Sequence, residues 1–205
     1  MGECLVTPRG DAAHRLPARR FTGHRTARFR SPGGPEFRSR VAAGTGTIRL
    51  MISIRPSAVD APDAVALVRS YLTEMVDRYH GRPMPSTAVD EALAAEPADD
   101  LAVLLIAYRE GTGIGCVGLR RAEERTGEIT KMYVAPGARR LGVGRRLLAA
   151  VEDAARDRGL RTLRLDTRDD LVEARAMYAA GGYAEIPPHE DRLYADHWFA
   201  KDLTP

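Results

Sequence analysis

The sequence is poor in cysteine, in lysine and in long apolar runs, and each shortage excludes a class of protein. Its 205 residues include only two cysteines, Cys4 and Cys116, too few for a disulfide scaffold or a cysteine-based zinc site. No stretch approaches the roughly 18 successive apolar residues of a membrane-spanning helix, so we expect no membrane partner. The five histidines are scattered without a ligand pattern, so we expect no metal. No secretory signal is recognisable, and we therefore expect a cytoplasmic location.

The positive charge of the chain is concentrated near one end. The formal net charge is +3, and only two of the 31 basic residues, Lys131 and Lys201, are lysines. Residues 1–50 hold ten arginines and three acidic residues, a balance of +7 that leaves −4 for residues 51–205. This basic segment is rich in Gly and Pro and has no apolar period, so we expect a disordered extension at 1–50 and one domain at 51–205. Three interpretations of this segment compete: it binds nucleic acid, it targets the protein to an organelle, or it has no role. We expect no nucleic-acid partner.

Apolar periodicity from Met51 onward predicts an alternation of strands and helices. Strands are expected at 51–56, 101–110, 114–121, 127–134, 160–167, 183–186 and 193–203, and helices at 60–81, 86–95, 142–158 and 171–180. Asp60 is the expected cap of the first helix, and Ser86 or Thr87 that of the second. The order β-α-α-β-β-β-α-β-α-β-β indicates an α/β (mixed α+β) domain. Its mixed central sheet carries helices on both faces, with a parallel strand pair around residues 128–166.

The most informative motif joins a strand to the long third helix, at Arg139-Arg140-Leu141-Gly142-Val143-Gly144-Arg145-Arg146. Glycines at 142 and 144 let the backbone approach a bulky anion. The first turn of the helix offers unpaired N–H groups and the positive end of its dipole, and the flanking arginines can pair with phosphate oxygens. A Walker loop is absent, and Leu147 stands where a dinucleotide fingerprint needs a third glycine. The motif therefore predicts a diphosphate site.

Three stretches of sequence resemble the GCN5-related N-acetyltransferase (GNAT) family. They are R-x-x-G-x-G at Arg139–Gly144, the preceding strand EITKMYV, and EARAMYAAGGY at Glu173–Tyr183; the order of elements is also the family's. The resemblance implies the acyl-CoA N-acyltransferase fold, with acetyl-CoA as cosubstrate in a V-shaped gap beside the cradle strand. It implies that the backbone of Met132, Tyr133 and Val134 binds the pantetheine arm. The pyrophosphate would be held by Arg139, Arg140, Leu141, Gly142, Val143, Gly144 and Arg145.

The reaction implied by the resemblance is direct attack of a primary amine on the thioester. An alkylamine is mostly protonated at neutral pH, so a base or a water path must remove a proton. Tyr178 occupies the family's tyrosine position and would act as general acid toward the departing thiolate; its alternative is an aromatic ring packed in the core. Glu128, eleven residues before Arg139, is the candidate base. Its alternative is a solvated carboxylate or an ion pair.

Several functional questions stay open at the level of sequence. A catalytically idle acyl-CoA-binding sensor or regulatory module is the alternative to an enzyme, and it would tolerate loss of Tyr178. His80, His189, His197 and Trp198 are candidates to line the acceptor pocket, although surface exposure or core packing is the favoured explanation of each. The acceptor is a small molecule or a protein, and the acidic balance of residues 51–205 favours a cationic one. Because GNAT relatives often dimerise through terminal strands, a homodimer is considered beside a monomer.

Overall fold

The computed structural model describes residues 51–192 and 194–204; the predicted extension at 1–50, with Cys4, lies outside the described residues. The elements follow the predicted order. The strands are β1 Ile52–Ser57, β2 Val103–Arg109, β3 Thr112–Arg121, β4 Thr126–Val134, β5 Thr162–Thr167, β6 Ala184–Ile186 and β7 His197–Asp202. The α-helices are α1 Pro62–His80, α2 Ser86–Ala95, α3 Val143–Arg156 and α4 Val172–Ala180, and a 3-10 turn spans Pro136–Ala138. Among the described residues, no helix combines the length and apolar character needed to span a bilayer.

The seven strands form one sheet in the order β1-β2-β3-β4-β5-β7-β6. Every neighbouring pair is antiparallel except β4 and β5, which are parallel. This confirms the predicted mixed sheet and its parallel pair. The parallel ladder is short, because only Thr126–Glu128 of β4 pairs with Thr162–Arg164 of β5.

Helices cover both faces of the sheet, as predicted. Successive side chains of a strand point to opposite faces, and β2 divides its residues accordingly. Leu104 and Ile106 pack in the cluster that includes α1 and α2, whereas Leu105 and Ala107 pack in the cluster that includes α3 and α4. The four apolar residues are all nearly inaccessible to solvent, so β2 contributes side chains to a core on each face of the sheet.

Most elements begin or end one to four residues from the predicted positions, and at three of them a particular residue explains or corrects the prediction. β1 continues through Pro56 to Ser57, which the sheet tolerates because β1 is an edge strand and proline lacks only a hydrogen-bond donor there. Helix α1 starts at Pro62 with Ala61 in the cap position, so the predicted Asp60 cap is wrong; proline at the first position fixes a helical φ instead. The cap of α2 is Pro85, without a side-chain hydrogen bond, so the predicted capping by Ser86 or Thr87 is also wrong.

Candidate active site

A gap opens in the middle of the sheet where β4 and β5 part. After Glu128 and Arg164 the two strands no longer pair, although β5 continues to pair with β7 as far as Thr167. A β-bulge accompanies the separation, because the register of β3 against β4 shifts between Cys116 and Gly118. Lys131 lies in this bulge with φ at +52°. Since a bulge bends its strand, it turns β4 away from β5 at the point where the ladder ends.

The side chain of Lys131 faces away from solvent. Its Nζ donates a hydrogen bond of 3.0 Å to the backbone carbonyl of Glu96, at the end of α2. Burial lowers the pKa of Lys131, and the charge of Glu96 opposes that shift. Lys131 therefore links the bulge to the end of α2 and is not a surface side chain.

Beyond Glu128, the backbone of β4 faces the gap without a neighbouring strand on that side. The amide of Ala135 donates to Ile114 of β3, at 2.9 Å, so Ala135 directs its N–H toward β3. Directions alternate along a strand, so the backbone of Tyr133 also faces β3, whereas that of Met132 and Val134 faces the gap. Of the three residues predicted to bind pantetheine through the backbone, Met132 and Val134 are placed for it, while Tyr133 is turned toward β3.

The predicted diphosphate cradle lies beyond the end of β4. Arg140 and Gly142 have left-handed backbone conformations, with φ of +62° and +76°, and Gly142 is the cap residue of α3. The first hydrogen bond to the cap carbonyl comes from Arg146, at 3.2 Å. The amides of Val143, Gly144 and Arg145 therefore have no carbonyl partner within the helix. No acidic side chain occupies this first turn, so an anion would meet N–H groups without competing charge.

The two glycines of the cradle serve different purposes. A Cβ on Gly142 would meet nothing within 4 Å, but its left-handed φ disfavours other residues. A Cβ on Gly144 would lie 2.8 Å from Sδ of Met177 in α4. The expectation that both glycines clear a path for an anion therefore holds for Gly142 alone. Gly144 instead allows α4 to pack closely against the first turn of α3.

The arginines of the cradle also differ in their partners. Arg139 donates from Nε to the carbonyl of Val134, at 3.0 Å, and its guanidinium contacts the carboxylate of Glu74 in α1. Arg140 and Arg145 are exposed, and no carboxylate of the described residues pairs with either. Arg140 and Arg145 are therefore free to meet a phosphate, whereas Arg139 already neutralises Glu74.

Tyr178 lies in the core on the α3 side of the sheet. It follows Met177 in α4, is 5% exposed, and its ring lies 5.9 Å from that of Tyr183 and 6.2 Å from that of Phe199. Burial raises the pKa of Tyr178, and the charge of Asp166 in β5 raises it further. The phenol is therefore protonated at neutral pH and can donate, as the predicted general acid must. Tyr178 also packs in the core, so the two interpretations of this residue are compatible.

A second phenol, that of the half-buried Tyr71, was placed by sequence reasoning only on the apolar stripe of the first helix. Burial is the main cause that raises the pKa of Tyr71 in α1, and the charges of Glu96, Tyr178 and Asp166 raise it further. These groups come from α2, α4 and β5. Tyr71 lies with the cluster on the α1 face of the sheet, and Tyr178 with the cluster on the α3 face.

Glu128, the predicted base, is the last residue of β4 that pairs with β5. It is 4% exposed, and its Oε1 lies 2.7 Å from the guanidinium of Arg192 and 3.4 Å from that of Arg120. The structure thus gives Glu128 the ion-pair environment that was the alternative to catalysis. A role as proton acceptor requires that an incoming amine share or displace these guanidinium groups.

Sequence reasoning missed Asp166 and Arg192, which complete this cluster. Arg192 lies 2.6 Å from Asp166 Oδ1; burial raises the pKa of Asp166, and Arg192 opposes that shift. The alternation of Leu and polar residues in β5 placed Asp166 on one face of a strand. Arg192 had no such signal, because it belongs to the irregular segment between β6 and β7.

The histidines and Trp198 are not brought together at one pocket. His80 is exposed beside Tyr79. His197 lies between Glu185, at 2.6 Å, and Asp169, at 3.1 Å, and its pKa is raised first by the hydrogen bond to Glu185. Trp198 and His189, in contrast, line one open groove of about 490 Å³. Among the described residues no group of three metal-ligating side chains converges.

Comparison with known proteins decides the family. Residues 66–183 match the sequence profile of the Acetyltransferase (GNAT) family. The chain belongs to this family. The IAA acetyltransferase of Azospirillum brasilense is 37% identical over 121 residues, which are 57% of this chain and 77% of that protein. The catalytic interpretation is therefore favoured over an idle acyl-CoA-binding module, and the enzyme is an N-acetyltransferase.

Solved structures show the same fold. A GNAT-family acetyltransferase of Staphylococcus aureus superposes with a TM-score of 0.60 at 17% identity, over 75% of this chain and 100% of that one. An aminoglycoside 6'-N-acetyltransferase complexed with coenzyme A superposes with a TM-score of 0.54 at 18% identity, over 74% and 97% of the two chains. These likenesses confirm the acyl-CoA N-acyltransferase fold.

Proposed function

We propose that this enzyme transfers the acetyl group of acetyl-CoA to a cationic primary amine by direct attack of the amine on the thioester. The observation that carries this proposal is the separation of β4 from β5 after three paired residues. Because the strands part, the backbone groups of Met132 and Val134 have no neighbouring strand. A polyamide chain such as pantetheine can pair with them as an added strand would, except at the carbonyl of Val134, which accepts from Arg139.

The residues at the mouth of the gap fit the diphosphate of coenzyme A. Val143, Gly144 and Arg145 offer amides without helical partners, and Gly142 leaves open space before them. The exposed side chains of Arg140 and Arg145 supply positive charge. When bound, the cosubstrate contributes a thioester that a neutral amine can attack.

Two side chains take part in the proton transfers that the reaction requires. Tyr178 keeps its proton on Oη because burial raises its pKa, so it can protonate a departing thiolate. The carboxylate of Glu128, which pairs with Arg192 and Arg120, orients an amine or a water that takes up the amine's proton. Either path places proton removal on the α1 side of the sheet and proton donation on the α3 side.

A matched pair of glycine variants tests cosubstrate binding. Gly142→Asp places a carboxylate at the anion-binding end of α3, and we expect calorimetry to show loss of coenzyme A binding. Gly159→Asp is the control, since Gly159 follows the other end of α3, has φ of +73° and is equally unobstructed. Equal binding by both variants would contradict the proposal.

Turnover is tested separately with a panel of primary amines, with release of free thiol as the readout. We expect thiol release that depends on the amine. Binding of coenzyme A without turnover on any amine would favour the regulatory alternative. Cytoplasmic location and a homodimer belong to this proposal only as expectations; cell fractionation and light scattering, respectively, test them.

A further inference from the structure

Helix α1 lies against one border of the gap. Its apolar residues share a buried cluster with Tyr133 of β4 and with Ala135 just beyond that strand, and α1 contacts both β3 and β4. The other border of the gap is β5, which ends at Thr167. Contacts between α1 and the residues that follow Thr167 therefore link the two borders across the gap.

Arg168, the first residue after β5, reaches α1 with its guanidinium. Nη1 donates a hydrogen bond of 3.0 Å to the backbone carbonyl of Met75, and Nε donates one of 2.8 Å to Oδ1 of Asp170. The side chain is 13% exposed, and its guanidinium lies 5.4 Å from the centre of the Tyr79 ring. Arg168 is thus mostly enclosed between α1 and its own segment.

Arg78 of α1 makes the same link in the opposite direction. Its Nε lies 3.1 Å from Oδ2 of Asp170, and its Nη2 donates to the backbone carbonyl of Asp170 at 2.9 Å. Its Nη1 lies 3.0 Å from Oε1 of Glu173, at the start of α4. Each carboxylate oxygen of Asp170 therefore meets a different guanidinium. We call Arg78, Arg168 and Asp170 the α1 tether.

The charges of the tether are balanced within the protein. Glu74 lies 3.6 Å from Arg78 and also contacts Arg139. With Glu74 included, three guanidinium groups face three carboxylates: those of Arg78, Arg139 and Arg168, and those of Glu74, Asp170 and Glu173. No surplus charge remains to attract a ligand, so the consequence of these contacts is positional. They hold the segment after β5 against α1.

The separated strands require such a restraint. A parallel ladder that continued beyond Glu128 and Arg164 would satisfy more backbone groups of β4 and β5, so other contacts must oppose closure of the gap. On one side the bulge at Lys131 turns β4 away. On the other side β5 pairs with β7 without a register shift as far as Thr167. The α1 tether, which follows directly, holds the carboxyl end of β5 in place.

We propose that the α1 tether fixes the width of the gap and that Arg78 and Asp170 are positioning residues for acetyl-CoA. A pantetheine arm that binds as an added strand needs a fixed spacing, because a backbone hydrogen bond requires about 2.9 Å between donor and acceptor. The tether acts through the placement of β5 and the start of α4. This assignment rests on the proposed acetyl transfer.

Two substitutions of opposite charge separate positioning from simple electrostatics. Coenzyme A is an anion, so charge alone predicts tighter binding when an acidic residue is removed and weaker binding when a basic residue is removed. Loss of the tether weakens binding in both cases. We expect calorimetry to show a rise in Kd for coenzyme A of about three- to tenfold in Asp170→Ala and in Arg78→Gln, as for loss of a charged hydrogen bond. Tighter or unchanged binding by Asp170→Ala overturns the proposal.

Each substitution has a matched control. Asp169→Ala removes the neighbouring carboxylate, which contacts His197 instead of α1, and Arg69→Gln removes a guanidinium of α1 that pairs with Asp90. Both should keep the wild-type Kd within about twofold. Arg78→Lys keeps the charge but not the planar fork, so its Kd should be intermediate. In turnover, KM for acetyl-CoA should rise with Kd while KM for the amine stays the same. Equal Kd values in a control and its tether variant count against the proposal.

Hydrogen exchange tests the tether without any cosubstrate. The amides of residues 168–173 should exchange faster in Asp170→Ala than in the wild type or in Asp169→Ala, because the segment is released from α1. Faster exchange in Asp170→Ala, together with a wild type that does not bind coenzyme A, would refute the proposed function but support the tether. Coenzyme A binding by the wild type with unchanged exchange in Asp170→Ala would refute the tether and retain the proposed function.

Discussion

Burial keeps the phenol of Tyr178 in the protonated form that its proposed role as general acid requires. An ordinary phenol has a pKa of about 10, and burial raises that of Tyr178. Below this raised pKa the phenol stays protonated and able to donate. A rise in pH therefore does not remove the acid until that pKa is reached. The proton would be lost only in strongly alkaline solution.

We expect Tyr178→Phe to lower kcat by about 10²- to 10⁴-fold, as for loss of a general acid, with KM for acetyl-CoA unchanged. In the wild type, kcat should show no alkaline decline from loss of this acid between about pH 7 and pH 10. Steady-state kinetics across this range measure both quantities. A variant with wild-type kcat would remove Tyr178 from the mechanism.

Gly144 has a packing role that its place in a glycine motif concealed. Gly144→Ala should destabilise the fold by about 1 kcal/mol, because its Cβ crowds Met177. In a Met177→Ala background the same change should stabilise by about 0.5–1 kcal/mol, since alanine favours a helix over glycine. Urea unfolding of the four proteins gives the coupling energy. The same sign in both backgrounds would show that Met177 is not the obstacle.

At the scale of elements, the sequence pattern predicts the order and type of the helices and strands. It does not predict the β-bulge that accompanies the gap between β4 and β5. Strand alternation, helical stripes and apolar runs bounded by turn residues placed all eleven elements. No sequence pattern predicts the bulge at Lys131. Its lysine has a left-handed backbone conformation and bonds to Glu96, which is distant in sequence. Because the sequence does not reveal the bulge, the separation of β4 from β5 is expected only from the resemblance to the GNAT family.

Helix α1 is fastened to the cradle through Glu74, which contacts Arg139 and lies 3.6 Å from Arg78. Glu74→Gln removes a negative charge near the diphosphate site and releases Arg139 from its carboxylate partner. We expect the Kd for coenzyme A to fall about two- to fivefold, the size of a partly exposed ion pair.

Calorimetry with coenzyme A tests this contact, with Glu91→Gln on the exposed side of α2 as control. A weaker affinity in Glu74→Gln would mean that Glu74 positions Arg139 for the cosubstrate instead of competing with it. No change in either variant would leave Arg139 without a part in binding.

At the scale of the molecule, the acidic cluster of the site comes from distant parts of the chain. Glu128, Asp166 and Arg192 lie in two separate strands and an irregular segment, and only the order of strands brings them together. The sequence therefore identified Glu128 through resemblance but missed its partners. A local motif can point to the proposed cradle because its residues are contiguous, whereas no local motif points to this cluster.

The segregation of charge predicts separable properties. Deletion of residues 1–50, which removes a balance of +7, should leave kcat and the affinity for coenzyme A unchanged, because every proposed site residue follows Met51. Kinetics of the full chain and of the truncated chain measure this directly. A gel-shift comparison should show no salt-resistant nucleic-acid binding by either protein. Loss of activity on truncation would give the extension a role in the enzyme.

The most direct test of the central claim is a crystal structure of the full chain with coenzyme A. The account predicts pantetheine between β4 and β5, hydrogen-bonded to the backbone of Met132 and Val134, with the diphosphate at the amides of Val143, Gly144 and Arg145. Coenzyme A bound elsewhere, or a gap closed by paired strands or by side chains, would contradict it.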